Sequence, residues 1–110
     1  MLDASPFGLL ALLVMAHFVG DFVLQSDRMA VEKCPGRDVT LPWWWWLIGH
    51  ASCQGLLVGL LTGVPLLGLA ECLVHGLLDW GKCRLGYSLL FDQILHLICK
   101  VVWVALVWVG

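Results

Sequence analysis

The chain has 110 residues, of which 61% are hydrophobic and only 13% charged, with a formal net charge of -2 and a mean hydropathy of +0.92. Ordinary soluble domains carry about 25% charged residues, and a chain this short has too little interior to hide so much apolar surface from water. The composition therefore speaks against a soluble globule or a disordered tail, and six Lys and Arg against eight Asp and Glu leave no basic patch for nucleic acid.

The first predicted helix covers roughly residues 5–25, because Ala4 to Gly20 is free of charge and the apolar pattern continues to Leu24. Val39 to Ala70 is a 32-residue uncharged stretch, more than one span of about 20 residues needs. Gly63-Val64-Pro65 supplies the break, since proline lacks an N–H and starts helices better than it continues them. The second helix is then expected over 42–63, the third over 65–80 and the fourth over 88–109, with loops at 26–41 and 81–87. The expectation is a single domain: an all-α integral membrane protein, a four-helix transmembrane bundle with both termini outside. Arg28, Lys33 and Arg37 fall in one loop and Lys82 and Arg84 in the other. The positive-inside bias assigns both loops to the cytoplasm of a multi-pass membrane protein. Trp43 to Trp46 and Trp80 would mark the cytoplasmic interface and Trp108 the outer one. Along the second helix Ala51, Gly55, Gly59 and Gly63 recur every four residues. Small residues at that spacing let another helix approach closely, as a packing face within the bundle or as a homodimer face.

All four histidines, His17, His50, His75 and His96, fall inside the predicted helices, with Asp21, Glu71, Asp79 and Asp92. Each buried charge costs roughly 2.5–3.5 kcal/mol at a helix centre on insertion scales, so a chain that only had to span lipid would not carry them. His17 and Asp21, His75 and Asp79, and Asp92 and His96 are spaced i,i+4, which places each pair on one helical face. Measured from the cytoplasmic ends at ~1.5 Å per residue, the histidines lie roughly 9–13 Å deep and the three aspartates in a shallower layer. The order of His and Asp reverses with helix direction, so all four helices feed one cluster.

Four imidazoles and three carboxylates suit Zn, Mn or Fe as a divalent ion. Seven ligands exceed one tetrahedral ion, so either two ions share the site or the aspartates orient the histidines of one. A metal-free proton relay, or polar groups that merely lock the helices together, would satisfy the same side chains. Glu71 and Lys100 come out near the bilayer middle and are expected to pair, with Glu71 as a ligand or base the alternative. Gln25 continues the His17–Asp21 face, where it meets a headgroup or simply ends the helix. The five cysteines include no C-x-x-C. Cys34 and Cys83 fall in the loops assigned to the cytoplasm, where thiols stay reduced. Cys53, Cys72 and Cys99 read as apolar packing rather than thiolate ligands.

The stretch His17-Phe18-Val19-Gly20-Asp21-Phe22-Val23-Leu24-Gln25, followed by Met29-Ala30 and Lys33, resembles the opening motif of the domain of unknown function 3307 family of bacterial and phage membrane proteins. His50 before a small residue, His75 with Asp79 and Lys82, and Asp92-Gln93 with His96 extend the resemblance over about residues 15–100. It implies the helical membrane fold, a multi-pass location in a bacterial inner membrane, and the cluster, and no activity. A looser likeness to membrane-bound metal-dependent hydrolases carries no residues over.

Three functions compete. In a metal-dependent hydrolase of a lipid or lipid-phosphate substrate, His17, His50, His75, His96, Asp21, Asp79 and Asp92 divide into ligands and a carboxylate base drawn from the aspartates. Membrane lipids would be its partners. Lys33, Lys82 and Arg84 would attract an anionic headgroup if they fold over the mouth, and otherwise only fix topology. A small proton- or metal-ion transporter or channel should offer polar access from both sides, whereas Leu56 to Leu61 and Val101 to Val107 are apolar. A structural or accessory membrane protein, including a phage component, would lose stability but no activity when ligands are replaced.

Overall fold

The computed structural model describes residues 5–109, and every described element is helical. Helix α1, Pro6–Phe18, begins where the Ser5 hydroxyl accepts from the Gly8 amide at 3.0 Å and proline occupies the first turn. It passes into a π turn, Val19–Val23, closed by the Leu24 amide donating to the Val19 carbonyl at 2.9 Å. A short helix α2, Asp27–Glu32, is capped by Ser26, whose hydroxyl accepts from the Met29 amide. Helix α3 runs Trp43–Thr62 and α4 Pro65–Leu85, each ending at a glycine with φ +70°, Gly63 and Gly86. Helix α5, Leu89–Val109, completes the chain.

The tightest packing joins α3 to α4, and glycine makes it possible. A Cβ on Gly55 would lie 2.6 Å from the Gly68 carbonyl oxygen, and one on Gly68 would lie 2.7 Å from that of Gly55. Of the small residues on α3, Ala51 and Gly55 are buried in this contact, while Gly59 also lines an outer groove with Leu56, Leu60 and Leu69. Helix α1 lies against α3 and α5, and α5 against α4. The apolar core, Leu9, Leu13, Val58, Trp103 and Val104, fills one end of the bundle. Farther along the same helices the buried face turns polar. On α4 the buried positions are Gly68, Glu71, His75 and Asp79, one stripe at helical spacing.

Several expectations change. A four-helix transmembrane bundle is not supported: among the described residues only Pro6–Val23 and Leu89–Val109 are long and apolar enough to cross a membrane. Helix α3 opens on four tryptophans and carries His50, Ser52 and Gln54, and α4 carries Glu71, His75, Asp79, Lys82 and Arg84. These side chains pull both helices below the hydropathy of a spanning segment. The assignment of both termini to the outside falls with that bundle. Helix α4 continues to Leu85 rather than stopping near Trp80, because no residue breaks it before Gly86. The loop at 26–41 contains α2 and folds around Glu32. The Glu32 carboxylate accepts from the Val39 and Thr40 amides, each at 2.6 Å, and from the Thr40 hydroxyl at 3.0 Å.

Cys34 and Cys83 are not free thiols. They form a disulfide across Cα atoms 5.4 Å apart, tying the loop after α2 to the last turns of α4. Proximity in the folded chain decides this pairing, and spacing along the sequence does not show it. Cys53, Cys72 and Cys99 stay free, with Cys99 packed against the apolar core.

A candidate metal centre

The i,i+4 spacing on α4 delivers Glu71, His75 and Asp79 to one line, and α5 does the same with Asp92, His96 and Lys100. Helix α3 brings His50 and Gln54. On α1, His17 is the last inward position before the π turn, which keeps Asp21 pointed at the cluster one turn later. All seven predicted ligands meet here, each no more than 6% exposed. Gly20 is part of the same device. A Cβ there would lie 2.2 Å from Gln54 Nε2, the atom that donates to Asp21 Oδ1 at 2.9 Å and to the His17 carbonyl at 3.2 Å.

The centre of the cluster is defined by four atoms. His50 Nε2 and His75 Nε2 stand 3.1 Å apart. Asp21 Oδ1 lies 3.0 Å from the first and 3.2 Å from the second, and Asp79 Oδ2 lies 3.4 Å from each. Ligands at about 2.0–2.1 Å from a tetrahedral zinc stand about 3.3 Å from one another. Beside this group, His96 Nε2 lies 3.3 Å from both Asp79 Oδ1 and Asp92 Oδ1. Asp79 thus turns one oxygen to each group, and Asp21 likewise turns Oδ2 toward His17 Nε2 at 3.4 Å. The His75 and His96 rings lie 4.1 Å apart, centroid to centroid.

Among the described residues, three sets could hold a metal ion: His17, His75 and His96; Asp21, His50 and His75; and Asp21, Asp92 and His96; the predicted ligand Asp79 joins none of these and instead contacts Lys33. The donor chemistry fits one. His17 Nδ1, Asp92 Oδ1 and both ring nitrogens of His96 are buried without a hydrogen-bond partner of acceptable geometry, an arrangement that is costly unless something else satisfies them. No cysteine joins any of these sets.

Around the ligands lies a second layer. Glu71 Oε2 contacts His75 Nδ1 at 3.0 Å, which fixes that ring's tautomer and turns Nε2 to the centre. The other Glu71 oxygen accepts from Lys100 Nζ and from Trp103 Nε1, the latter at 2.9 Å. Glu71 and Lys100 therefore pair as the sequence suggests, and Glu71 orients a histidine. Gln93 joins Asp21 to the neighbouring helix, with Nε2 donating to Asp21 Oδ2 at 3.1 Å and Oε1 contacting His17 Nε2 at 2.8 Å. Lys33 donates to Asp79 Oδ2 at 3.0 Å, and Lys82 lies 4.0 Å from Asp92 Oδ2. Arg84 does not reach the site and sits over the Trp80 ring instead, 5.7 Å from its centroid.

Residue reasoning missed Gln54 and Trp103. Both look like ordinary helix residues, although Gln54 lies one turn from His50 on the same face. Gln93 was visible only through the family resemblance.

Four imidazoles and four carboxylates gathered where helices converge define an all-helical protein built around a buried histidine–carboxylate cluster. The chain belongs to the family described as protein of unknown function (DUF3307), whose model matches residues 9–110, essentially its whole length. No curated protein and no solved structure matches it.

Proposed function

We propose that this is a membrane protein that holds a divalent-cation centre and acts as a metal-dependent hydrolase on a lipid or lipid-phosphate substrate. The observation that carries the reading is the convergence of His50 Nε2, His75 Nε2 and Asp21 Oδ1, whose mutual separations of 3.0–3.2 Å are those of three ligands on one face of a tetrahedral ion, with Asp79 Oδ2 3.4 Å from each histidine nitrogen. The two-faced placement of Asp79 favours two ions, with His96 and Asp92 on the second. Zn, Mn and Fe all suit these donors.

The cation would supply Lewis acidity and a water activated near neutral pH. Asp21 reaches His50 on α3 and His75 on α4, and Asp79 reaches His50 on α3 and His96 on α5, so the two carboxylates tie these helices at the centre. Asp92, whose Oδ1 is buried without a hydrogen-bond partner, would complete the second ion's ligand set or, with one ion bound, act as the carboxylate base. Glu71 keeps His75 in its ligating tautomer.

Location in a bacterial inner membrane, crossed by Pro6–Val23 and Leu89–Val109, is supported by an inversion of burial. Among the described residues, twelve buried side chains are polar or charged and only seven hydrophobic, while apolar residues of these two helices such as Met15, Phe22, Leu90, Ile98 and Leu106 are exposed. Soluble proteins distribute these residues the other way, and an apolar surrounding makes the inversion favourable.

The test is metal content of detergent-purified protein, wild type beside a His50→Ala, Asp92→Asn double variant. One or two equivalents of a transition metal are expected in the wild type and none in the variant, with both monodisperse. The loaded protein should then release product from vesicles containing phosphatidic acid. Wild type that is metal-free and resists reloading with Zn or Mn overturns the reading.

A further inference from the structure

Between the loop after α2 and the end of α4 lies a cavity of about 350 Å³, lined by Asp21, Asp79 and Asp92 and by Lys33, Arg37 and Lys82. It is the polar approach to the cluster and falls within the ~300–1,000 Å³ of small-molecule sites. Three cations share one small opening.

The charges of the cluster indicate the kind of ligand. The carboxylates of Asp21, Glu71, Asp79 and Asp92 face the ammonium groups of Lys33, Lys82 and Lys100, which leaves one negative charge when the histidines are neutral. A divalent ion reverses that sign, and a second makes the excess about three positive charges. A loaded centre thus draws an anion, and the cavity is where one can reach it. Lys33 is anchored on Asp79 Oδ2 at 3.0 Å by one N–H, and an ammonium has two more to offer. A cation on Asp79 weakens that anchor and turns Lys33 toward an incoming anion.

Gln25 narrows the choice. Its Nε2 donates to the Asp21 carbonyl at 2.9 Å, while its Oε1 is buried with no donor from the protein. A monoprotonated phosphate brings both the charge and an O–H for that oxygen. A carboxylate or a sulfate brings no such donor. The disulfide helps set the geometry, because Cys34 follows Lys33 and Cys83 follows Lys82 in sequence, so the cross-link holds the two lysine-bearing segments side by side.

We propose that this cavity is a phosphate-monoester subsite in which Lys33 and Lys82 take the phosphate oxygens beside the cation centre, so that anion and divalent cation bind cooperatively. The proposal rests on the cation-centre reading above and assigns the substrate's reacting group.

Binding of radiolabelled inorganic phosphate to the detergent-purified full chain, by equilibrium dialysis, tests it. Expected are one phosphate per chain, at least tenfold tighter with Mn²⁺ than with a chelator, and sulfate as a poor competitor. A Lys33→Gln, Lys82→Gln variant should keep its Mn²⁺ content and lose phosphate affinity at least tenfold, whereas Lys33→Arg, Lys82→Arg retains it. Two competitors distinguish the source of the group. Displacement by nanodiscs containing phosphatidic acid supports a lipid headgroup, and displacement by glycerol phosphate alone supports a soluble ester. Loaded wild type that binds no phosphate, or a glutamine variant that binds it undiminished, overturns the subsite. Lysine-dependent phosphate binding by a chain that takes up no Mn²⁺ overturns the cation centre and the cooperativity, and leaves the anion subsite standing.

Discussion

Replacing Glu71 and Lys100 singly and together separates a buried ion pair from two independent polar groups. Lys100 has no solvent exposure and Glu71 1%, and they lie on different helices. Removing one partner strands the other charge, at a cost of about 3–5 kcal/mol. At about 4 °C per kcal/mol for a domain of this size, each single change lowers the melting temperature by on the order of 10–20 °C. Glu71→Gln should be the worse of the two, because that carboxylate also serves His75 Nδ1 and Trp103 Nε1. The double variant Glu71→Gln, Lys100→Met leaves neither charge buried, and replacing a buried pair outright is often close to neutral. Its loss should therefore fall below that of Glu71→Gln alone, a coupling of at least about 2 kcal/mol. Thermal unfolding of detergent-purified protein, followed by circular dichroism with a chelator present, measures all four states. Simple addition of the two single losses in the double variant would refute the pairing argument.

Three further outcomes follow from other parts of the fold. Gly55→Leu should separate α3 from α4 and abolish metal uptake, since even a Cβ there meets the Gly68 carbonyl at 2.6 Å; Gly49→Ala, with nothing within 4 Å, should be neutral or stabilising by up to about 1 kcal/mol in the same melts. Glu32 titrates below its ordinary value because the Thr40 amide, working against desolvation and with the Val39 amide, the Thr40 hydroxyl and Arg28, favours its carboxylate. Its stabilisation is thus complete above the unfolded value of about 4.3 and is lost as the pH falls through the lower folded value, and a Glu32→Gln variant should show a flatter acid limb in pH-dependent melts. Cys34→Ser should lower stability by up to about 4 kcal/mol, the chain-entropy value for a cross-link spanning a separation of 49 residues, and intact-mass measurement before and after reduction should differ by two hydrogens in the wild type alone.

The site was more legible in the sequence than the architecture around it. Ligand position on a helix depends only on spacing, so the i,i+4 pairs and their reversal with helix direction were enough to gather seven residues. Whether α3 and α4 face lipid depends on their average polarity, and the residues that built the site, His50, Gln54, Glu71, His75 and Asp79, are those that disqualify these helices as spans. A ligand's polarity belongs to the helix that carries it as much as to the site. Cys34 with Cys83, and Glu32 with the chain at 39–40, were out of reach for another reason. Both depend on how a loop folds back, and no periodicity along the chain encodes that.

The π turn at Val19–Val23 has a consequence for how this segment can vary. A π turn accommodates one more residue than an α-helical turn would, and each residue is worth about 100° of rotation. Its exposed side chains, Val19, Phe22 and Val23, contribute bulk to the outer surface and can be exchanged for others of similar character. Their number cannot change so freely. Dropping one would leave Leu9, Leu13 and His17 in place and rotate Asp21, Gln25 and the start of the loop carrying Lys33 away from the bundle axis. In this segment, then, length is constrained more tightly than composition, and a single-residue deletion should do more damage than any single exchange at its exposed positions.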